Sequence, residues 1–407
     1  MSLLPMKTYR LGDLGKIVTG TTPPKAHPEW FASSGVPFVT PSDIKAKDTT
    51  LKTARFISST GVGALRNRVL PPKAISVVCI GSTIGKMSYL RTPVCTNQQI
   101  NSLIVDTSKA SSRFLYYRMW EIADSLKQVA GGSASPIVNK TAFSQLKIDL
   151  PDMQIQQGIA ATLGALDDKI ESNILFAHKL NQIANTLVEQ KLKNDSTKSC
   201  KLQDLVSFNR QQVKPNSTDG VHYVDISSVS VGRINTVQQM SWDEAPSRAR
   251  RGVSDGDLIF STVRPGRQAF ALVLMPHPLT VVSTGFAVIR PIAPLGSSVL
   301  TYIASRKSFA SYLQSNSYGS AYPAVSVSAI GEYEVNIPTD ERALREIESM
   351  TMPMRIMSHY RILENQVLAS LRDTLLPELM SGRIRVPEAR EVVQEATDTE
   401  LPEGEND

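Results

Sequence analysis

Residue types able to cleave, transfer or coordinate are present, but their spacing keeps them apart. Gly81-Ser-Thr-Ile-Gly-Lys-Met87 has the outline of a phosphate loop. Such a loop needs four residues between its glycines and a Ser or Thr after the Lys to hold magnesium. Here three residues intervene and Met87 follows the Lys. Pro151-Asp152 and Glu189-Gln190-Lys191 supply the residue types of a nuclease centre. They fall at opposite ends of one predicted helix, roughly 55 Å apart, too far to share an ion. His27, His178, His222, His277 and His359 are scattered, with no HExxH and no Cys pair beside them, so no metal site is expected. Asn-Pro-Pro-Tyr and Asp-Pro-Pro-Tyr, the signatures of adenine methyl transfer, do not occur. Neither does a glycine motif suited to S-adenosylmethionine, nor a nucleophile–base constellation. The expectation is a chain with no catalytic residue and no cofactor of its own.

Side chains that bind by hydrogen bonds and charge are abundant in loops. In the first part of the chain these are Thr21, Thr22, Lys25, Thr40, Ser42, Lys45, Ser82, Thr83, Lys86, Asn97, Gln98 and Gln99. In the second they are Arg210, Gln211, Gln212 and Lys214, then Arg248, Arg250 and Arg251, then Arg264 and Arg267 around Pro265-Gly266. Asn and Gln amides pair with adenine edges, and Arg and Lys with guanine or phosphate. The alternatives are ordinary ones: Ser and Thr cap turns, and charged runs solvate a face. Tyr318 and Tyr322, in a Gly-Ser-Ala loop, suit either a ligand contact or loop packing.

The elements that must position these residues come twice. Ser133–Pro151 aligns without gaps on Ser320–Pro338, sharing Ser, Ala, Pro, Val, Ala and the last Pro. Leu11-Gly-Asp-Leu14 matches Leu202-Gln-Asp-Leu205, and Val36–Ile44 matches Val221–Val229. Ser82-Thr83 is set against Ser261-Thr262, and Asn97–Ile100 against Ser283–Phe286. The order is kept throughout, so the chain is an internal duplication. Each copy begins with about 140 strand-rich residues, short apolar runs between Gly, Pro, Ser and Thr clusters. One helix interrupts each, over Ser112–Gln128 and Ser298–Gln314. Each copy ends in a long helix. The apolar stripe of the first runs through Ile159, Leu163, Leu166, Ile170, Leu180 and Leu187. That of the second runs through Ile356, Tyr360, Leu363, Val367 and Leu371, with a kink or restart expected at Pro353. Charges such as Asp167, Asp168, Lys169 and Glu171 read as solvated. A single stripe about 50 Å long wants a partner, most simply the helix of the other copy, antiparallel. The fold class is therefore α+β: two similar strand-rich domains alternating with two long helices that pair as an antiparallel coiled coil, with pseudo-two-fold symmetry.

Charge narrows the partner. The chain of 407 residues carries a net +6. Residues 387–407 hold eight acids and one base, so the remainder stands at +13. That tail reads as disordered and the body as attractive to a polyanion. Three widely spaced cysteines form no framework and imply a reducing cytoplasm. No apolar run reaches membrane-spanning length, so no membrane is expected. Two basic globules on a stiff spacer suit duplex DNA with two half-sites.

Over residues 7–386 the chain resembles the specificity (S) subunits of type I restriction–modification enzymes. Tyr9–Pro24 and Val36–Ile44 look like the opening of a target recognition domain. Leu150–Ala161 with Leu166–Ile170 look like the central helical region, and Leu371–Val386 like the C-terminal end. The resemblance implies target recognition domains at 1–151 and 195–338, spacer helices at 152–194 and 339–386, and an acidic tail at 387–407. It implies a non-enzymatic, cytoplasmic phage-defence component that reads a bipartite double-stranded DNA target. Its partners would be two modification methyltransferase subunits and motor–nuclease restriction subunits. S-adenosylmethionine, ATP and Mg2+ would sit on those partners. The rival reading is a coiled-coil protein–protein scaffold; a stand-alone nuclease or methyltransferase is disfavoured by the missing motifs.

Overall fold

The computed structural model describes residues 4–45, 51, 53–129, 136–215, 220–319 and 323–398. The chain divides into two compact units, 1–173 with 363–407, and 174–362. The division cuts both long helices, Met153–Asn194 and Glu341–Ser381, so each unit owns a half of each.

In the first unit, Lys7–Arg10 pairs antiparallel with Lys147–Leu150. An antiparallel sheet runs in the order Gly15–Thr19, Ile100–Val105, Ile75–Val78, Met87–Tyr89. Ile75–Val78 is buried on both faces, as its unbroken Ile-Ser-Val-Val run requires, and Ser76 and Ser102 satisfy one another across the strands at 2.9 Å. A second sheet runs Phe31–Ala32, Phe56–Ile57, Val36–Val39, Cys95–Thr96, its last pair parallel.

The second unit repeats the antiparallel sheet and, in its other sheet, the parallel strand pair. Thr197–Lys201 pairs with Glu334–Pro338. The antiparallel sheet runs Val206–Phe208, Phe286–Pro291, Leu258–Ser261, Phe270–Leu272. The other sheet runs Gln238–Met240, Val221–Val224, Thr280–Ser283, Ala249–Gly252, with a parallel pair at its centre. Even the caps recur: Asn139 Oδ1 accepts Ala142 N, and Ser326 Oγ accepts Ala329 N, at aligned positions.

Four expectations are corrected. The interrupting helices are each broken, into Ser112–Glu121 with Ala123–Val129, and Ser297–Ser305 with Lys307–Ser315. Arg306 takes an extended backbone between the latter two. The helix Glu341–Ser381 does not restart at Pro353. Pro353 is exposed, while Thr351 and Arg355 beside it hydrogen-bond to Ser298 Oγ at 2.7 and 2.6 Å, so packing outweighs the missing N–H. Residues 386–398 are not disordered but form a helix. Its Val386, Ala389 and Val393 recur at helical spacing, and the last two are buried against Leu375, Leu376 and Leu379. Residues 399–407 lie outside the described residues.

The fourth correction concerns the stripe. Ile159, Leu163 and Leu166 are buried, and Ile170, Leu180, Leu187, Ile356, Tyr360 and Leu371 are partly so. Leu363 and Val367 face outward, Val367 at 65% exposure. Leu344 and Ile347 near one end of the second helix, and Leu368, Leu375 and Leu379 near the other, share apolar clusters with residues of the first, and polar residues carry much of the contact between them. In the first unit, Arg372 meets Asp167 at 2.7 Å, and Asn365 meets Asn173 at 2.9 Å and the Ile170 carbonyl at 3.3 Å. In the second, Ser358 meets Asn181 at 2.7 Å, Arg355 meets Asn185 at 2.9 Å, and Lys191 meets Glu346 at 3.1 Å. Within each unit, partner numbers fall on one helix as they rise on the other, so the helices run antiparallel there.

Candidate functional site

Parallel pairing carries two strand ends to the same edge of the first unit. Val36–Val39 leads into Thr40, and Cys95–Thr96 into Asn97, and Asn97 N donates to Val39 O at 3.1 Å. Gly20-Thr21-Thr22 crosses these ends, with Thr21 N donating to Thr96 O at 2.8 Å. A Cβ on Gly20 would lie 2.1 Å from Asn97 O, so only glycine permits the approach. Thr22 Oγ1 then reaches Gln98 Oε1 at 2.7 Å, and Thr40 Oγ1 lies 3.0 Å from Ser42 Oγ. Thr40 also caps its turn through Asp43, so part of its role is structural. Asn97 bonds to Gln99 and is itself buried; Gln98 is the exposed amide. Lys25 and Lys45 are exposed. Ser82, Thr83 and Lys86 lie on a turn packed on the Ala123–Val129 helix, with Thr83 Oγ1 bonded to the Ile80 carbonyl. No hydrogen bond joins their side chains to the rim among the described residues.

The reading by composition overlooked Arg55 and Arg68. The Arg55 guanidinium lies 5.1 Å from the Phe38 ring centroid and 3.4 Å from Thr40 Oγ1. Arg68 Nη1 donates to the Thr19 carbonyl at 2.6 Å. Both are exposed, and neither forms an ion pair among the described residues. Arg55 ends the polar run 45–55 and Arg68 the run Arg66-Asn-Arg68, and neither run stands out from ordinary solvated sequence.

In the second unit the three basic clusters converge through the backbone. Val213 N donates to Arg250 O at 2.8 Å and Gly252 N to Gln211 O at 3.0 Å, so the Arg210–Lys214 segment lies against the strand Ala249–Gly252 through a bridge at Gln212. Thr284 N donates to Arg248 O and Thr262 N to Gly285 O, leading from there towards the Arg264–Arg267 turn. Arg210, Gln211, Gln212, Lys214, Arg248 and Arg267 are exposed. Burial pushes the Arg251 guanidinium below its usual range, and its Nη1 has no hydrogen-bond partner among the described residues. Tyr318 is 65% exposed, its backbone paired with Ala324; Tyr322 lies outside the described residues.

The backbone bonds also reset the repeat. Gly81 N donates to Pro136 O and Arg264 N to Pro323 O; Val138 N donates to Cys79 O and Val325 N to Thr262 O. Gly81 is therefore the counterpart of Arg264, and Ser82-Thr83 that of Pro265-Gly266 rather than of Ser261-Thr262. The phosphate-loop look-alike is a tight turn whose two glycines both hold positive φ, 64° and 89°.

The acidic run on the first long helix is not a solvated face. Asp167 is 1% exposed and takes bonds from Tyr117 Oη at 2.5 Å and Arg372 Nη1 at 2.7 Å. Asp168 receives both Arg113 Nη1 and Nη2 at 2.8 Å, plus Arg91 at 2.8 Å, and Arg91 also meets Glu171 at 3.1 Å. Lys169 reaches Glu364 at 3.7 Å and the Thr397 carbonyl at 3.1 Å. Among the described residues, no group of three or more His, Cys, Asp or Glu could hold a metal ion, and no helix is long and apolar enough to cross a membrane.

Comparison with known proteins agrees with the duplicated architecture. Residues 4–183 match the type I restriction modification DNA specificity domain. The type I restriction enzyme HindI specificity subunit of Haemophilus influenzae is 31% identical over 188 residues, 46% of this chain and 40% of that protein. The match thus spans less than half of that relative's length. The MjaIX specificity subunit of Methanocaldococcus jannaschii is 22% identical over 412 residues, 93% of each chain. Among solved structures, the type I restriction–modification S subunit from M. genitalium superposes with a TM-score of 0.57 at 14% identity, covering 93% of this chain and 96% of that one.

Proposed function

We propose, on the premise that the chain belongs to the specificity subunits of type I restriction–modification systems, that it reads a bipartite sequence in double-stranded DNA, one half with each of its strand-rich domains. The observation that carries this is the recurrence in both units of one four-stranded antiparallel sheet and one parallel strand pair, each copy presenting a polar or basic rim. The domains are assigned to 1–151 and 195–338. The first rim is built mainly of hydroxyls and amides, the second of arginines, so the two halves of the target differ in sequence. Loops deliver these groups while the sheets hold them, the usual division of labour for recognition.

The long helices are assigned a second task. Antiparallel contacts in both units support one antiparallel coiled coil with pseudo-two-fold symmetry, which fixes the distance between half-sites. Their seam leaves apolar side chains outside. Phe176, Ile183, Met350 and Met357 in the second unit, and Leu363 and Val367 in the first, are 39–65% exposed. Such a surface suits docking of two methyltransferase subunits, with motor–nuclease subunits completing a cytoplasmic phage-defence enzyme. Catalysis, S-adenosylmethionine, ATP and Mg2+ are then the partners' business.

The test is selection of duplexes from a random library by the chain co-purified with its methyltransferase. Two short blocks at fixed spacing are the expected outcome. Binding that is steeply salt-sensitive but enriches no sequence would leave phosphate tracking alone, and no duplex binding would favour the scaffold reading.

A further inference from the structure

We propose that Arg55 is a specificity-determining residue of the first recognition domain, selecting guanine at one position of its half-site. The inference rests on the DNA-reading function and assigns it a residue not singled out from the sequence alone.

Among the described residues Arg55 has no acid partner, and its neighbours hold it in place. Phe38 N donates to Arg55 O at 2.9 Å, and Thr53 Oγ1 donates to Phe38 O at 2.9 Å and receives Arg55 N at 3.2 Å, so the backbone is fixed on both sides. The guanidinium stacks over Phe38, an aromatic face that orients the planar cation. One Nη2 contact to Thr40 Oγ1 sets its rotation, and the nearby Asp43 carboxylate is engaged with the Thr40 amide and hydroxyl. Arginine has five N–H donors in a fork. Among the described residues only the Thr40 contact engages this fork, at the edge that carries Thr22 and Gln98. A planar, pre-oriented fork, with no acid partner among the described residues, matches the paired O6 and N7 acceptors of guanine. Arg68 differs, since its bond to the Thr19 carbonyl is a single contact with no stacking ring; it suits a phosphate.

The repeat supports a reading role for the position. Phe38 aligns with Tyr223, and the residue opposite Tyr223 on the neighbouring strand is Gln238, which is exposed. The same place in the fold thus carries a guanine-matching side chain in one copy and an adenine-matching one in the other.

The experiment is duplex selection by the complex of the full chain with its methyltransferase, comparing wild type with Arg55→Ala, Arg55→Gln and Arg68→Ala. Arg55→Ala should relax one base position in one half-site roughly tenfold or more and leave the other half-site intact. Arg55→Gln should shift that position from guanine towards adenine. Arg68→Ala should weaken all sequences alike and lower the salt slope by about 1. An Arg55→Ala variant that keeps full selectivity, or loses affinity equally on every sequence, overturns the assignment while leaving the two-domain reading in place. A wild-type complex that selects no bipartite motif overturns both.

Discussion

Arg264 holds φ at 51°, where its counterpart Gly81 holds 64°. Glycine takes this conformation without strain; an arginine pays on the order of 1 kcal/mol or more. A strained arginine retained where glycine would fit argues that its side chain is used. Arg264→Gly should therefore leave the melting temperature unchanged or raised, while one half-site becomes less selective in duplex selection. A drop in stability with selectivity intact would mean the residue is structural. Asp168 makes a different residue-scale prediction. Burial alone would raise its carboxyl, but the Arg113 and Arg91 guanidiniums more than offset this and hold it below the usual carboxylate range. A carboxyl lowered on folding contributes stability above the unfolded value, about 3.9, and loses it as pH falls through the folded value. Asp168→Asn should lower the urea midpoint at pH 7, and the gap to wild type should close below about pH 4. With the side chain half exposed, solvent screening keeps the gap under about 1 kcal/mol. At this scale the sequence was partly legible. Clustered arginines were visible as runs, whereas Arg55 and Arg68 gain meaning only when strands bring Phe38, Thr40 and Thr19 to them.

At the scale of elements, the duplication and the two long helices could be read from sequence because apolar periodicity and ordered matches record them. The seam of the second helix could not. Apolar spacing pointed to Leu363 and Val367, but these face outward, and the hydrogen bonds across to the first helix come from Arg355, Ser358, Asn365 and Arg372, whose polarity reads as surface until a partner satisfies it. The acidic count of residues 387–398 likewise concealed the Val386, Ala389, Val393 row that docks the C-terminal helix. The Asp167 cluster shows what such polar contacts do. Arg372 joins the second long helix to Asp167 on the first, and its guanidinium lies 4.8 Å from the Trp120 ring centroid, while Tyr117 ties the same carboxylate to the helix Ser112–Glu121. Replacing Arg372 with Met strands a buried carboxylate and should cost about 3–5 kcal/mol in urea unfolding. Adding Asp167→Asn should recover much of that loss, because the uncompensated charge is then gone. No recovery in the double variant would place the stabilisation in the Trp120 contact and packing of Arg372 rather than in the ion pair.

At the scale of the molecule, the ruler function makes a claim about distance. An α-helix rises 1.5 Å per residue, so seven residues amount to about 10 Å, close to the length of three base pairs of duplex. Seven is also the number that keeps a helix face nearly in phase, drifting only about 20°. The contacts on either side indicate which blocks are matched. Removing 174–180 from the first long helix and 358–364 from the second leaves Asn173 beside Asn365 and keeps Arg355 facing Asn185. The two deletions must be made together, since either alone shifts one helix by two turns against the other and unpairs Arg372 from Asp167 or Arg355 from Asn185. If the helices set the spacing, the doubly shortened chain should select the same two half-sites with a spacer about three base pairs shorter. The single deletions should bind poorly to any spacing. An unchanged spacer in the double deletion would mean that the distance is fixed elsewhere, by the methyltransferase subunits or by bending of the DNA, and that the helices serve only as their dock.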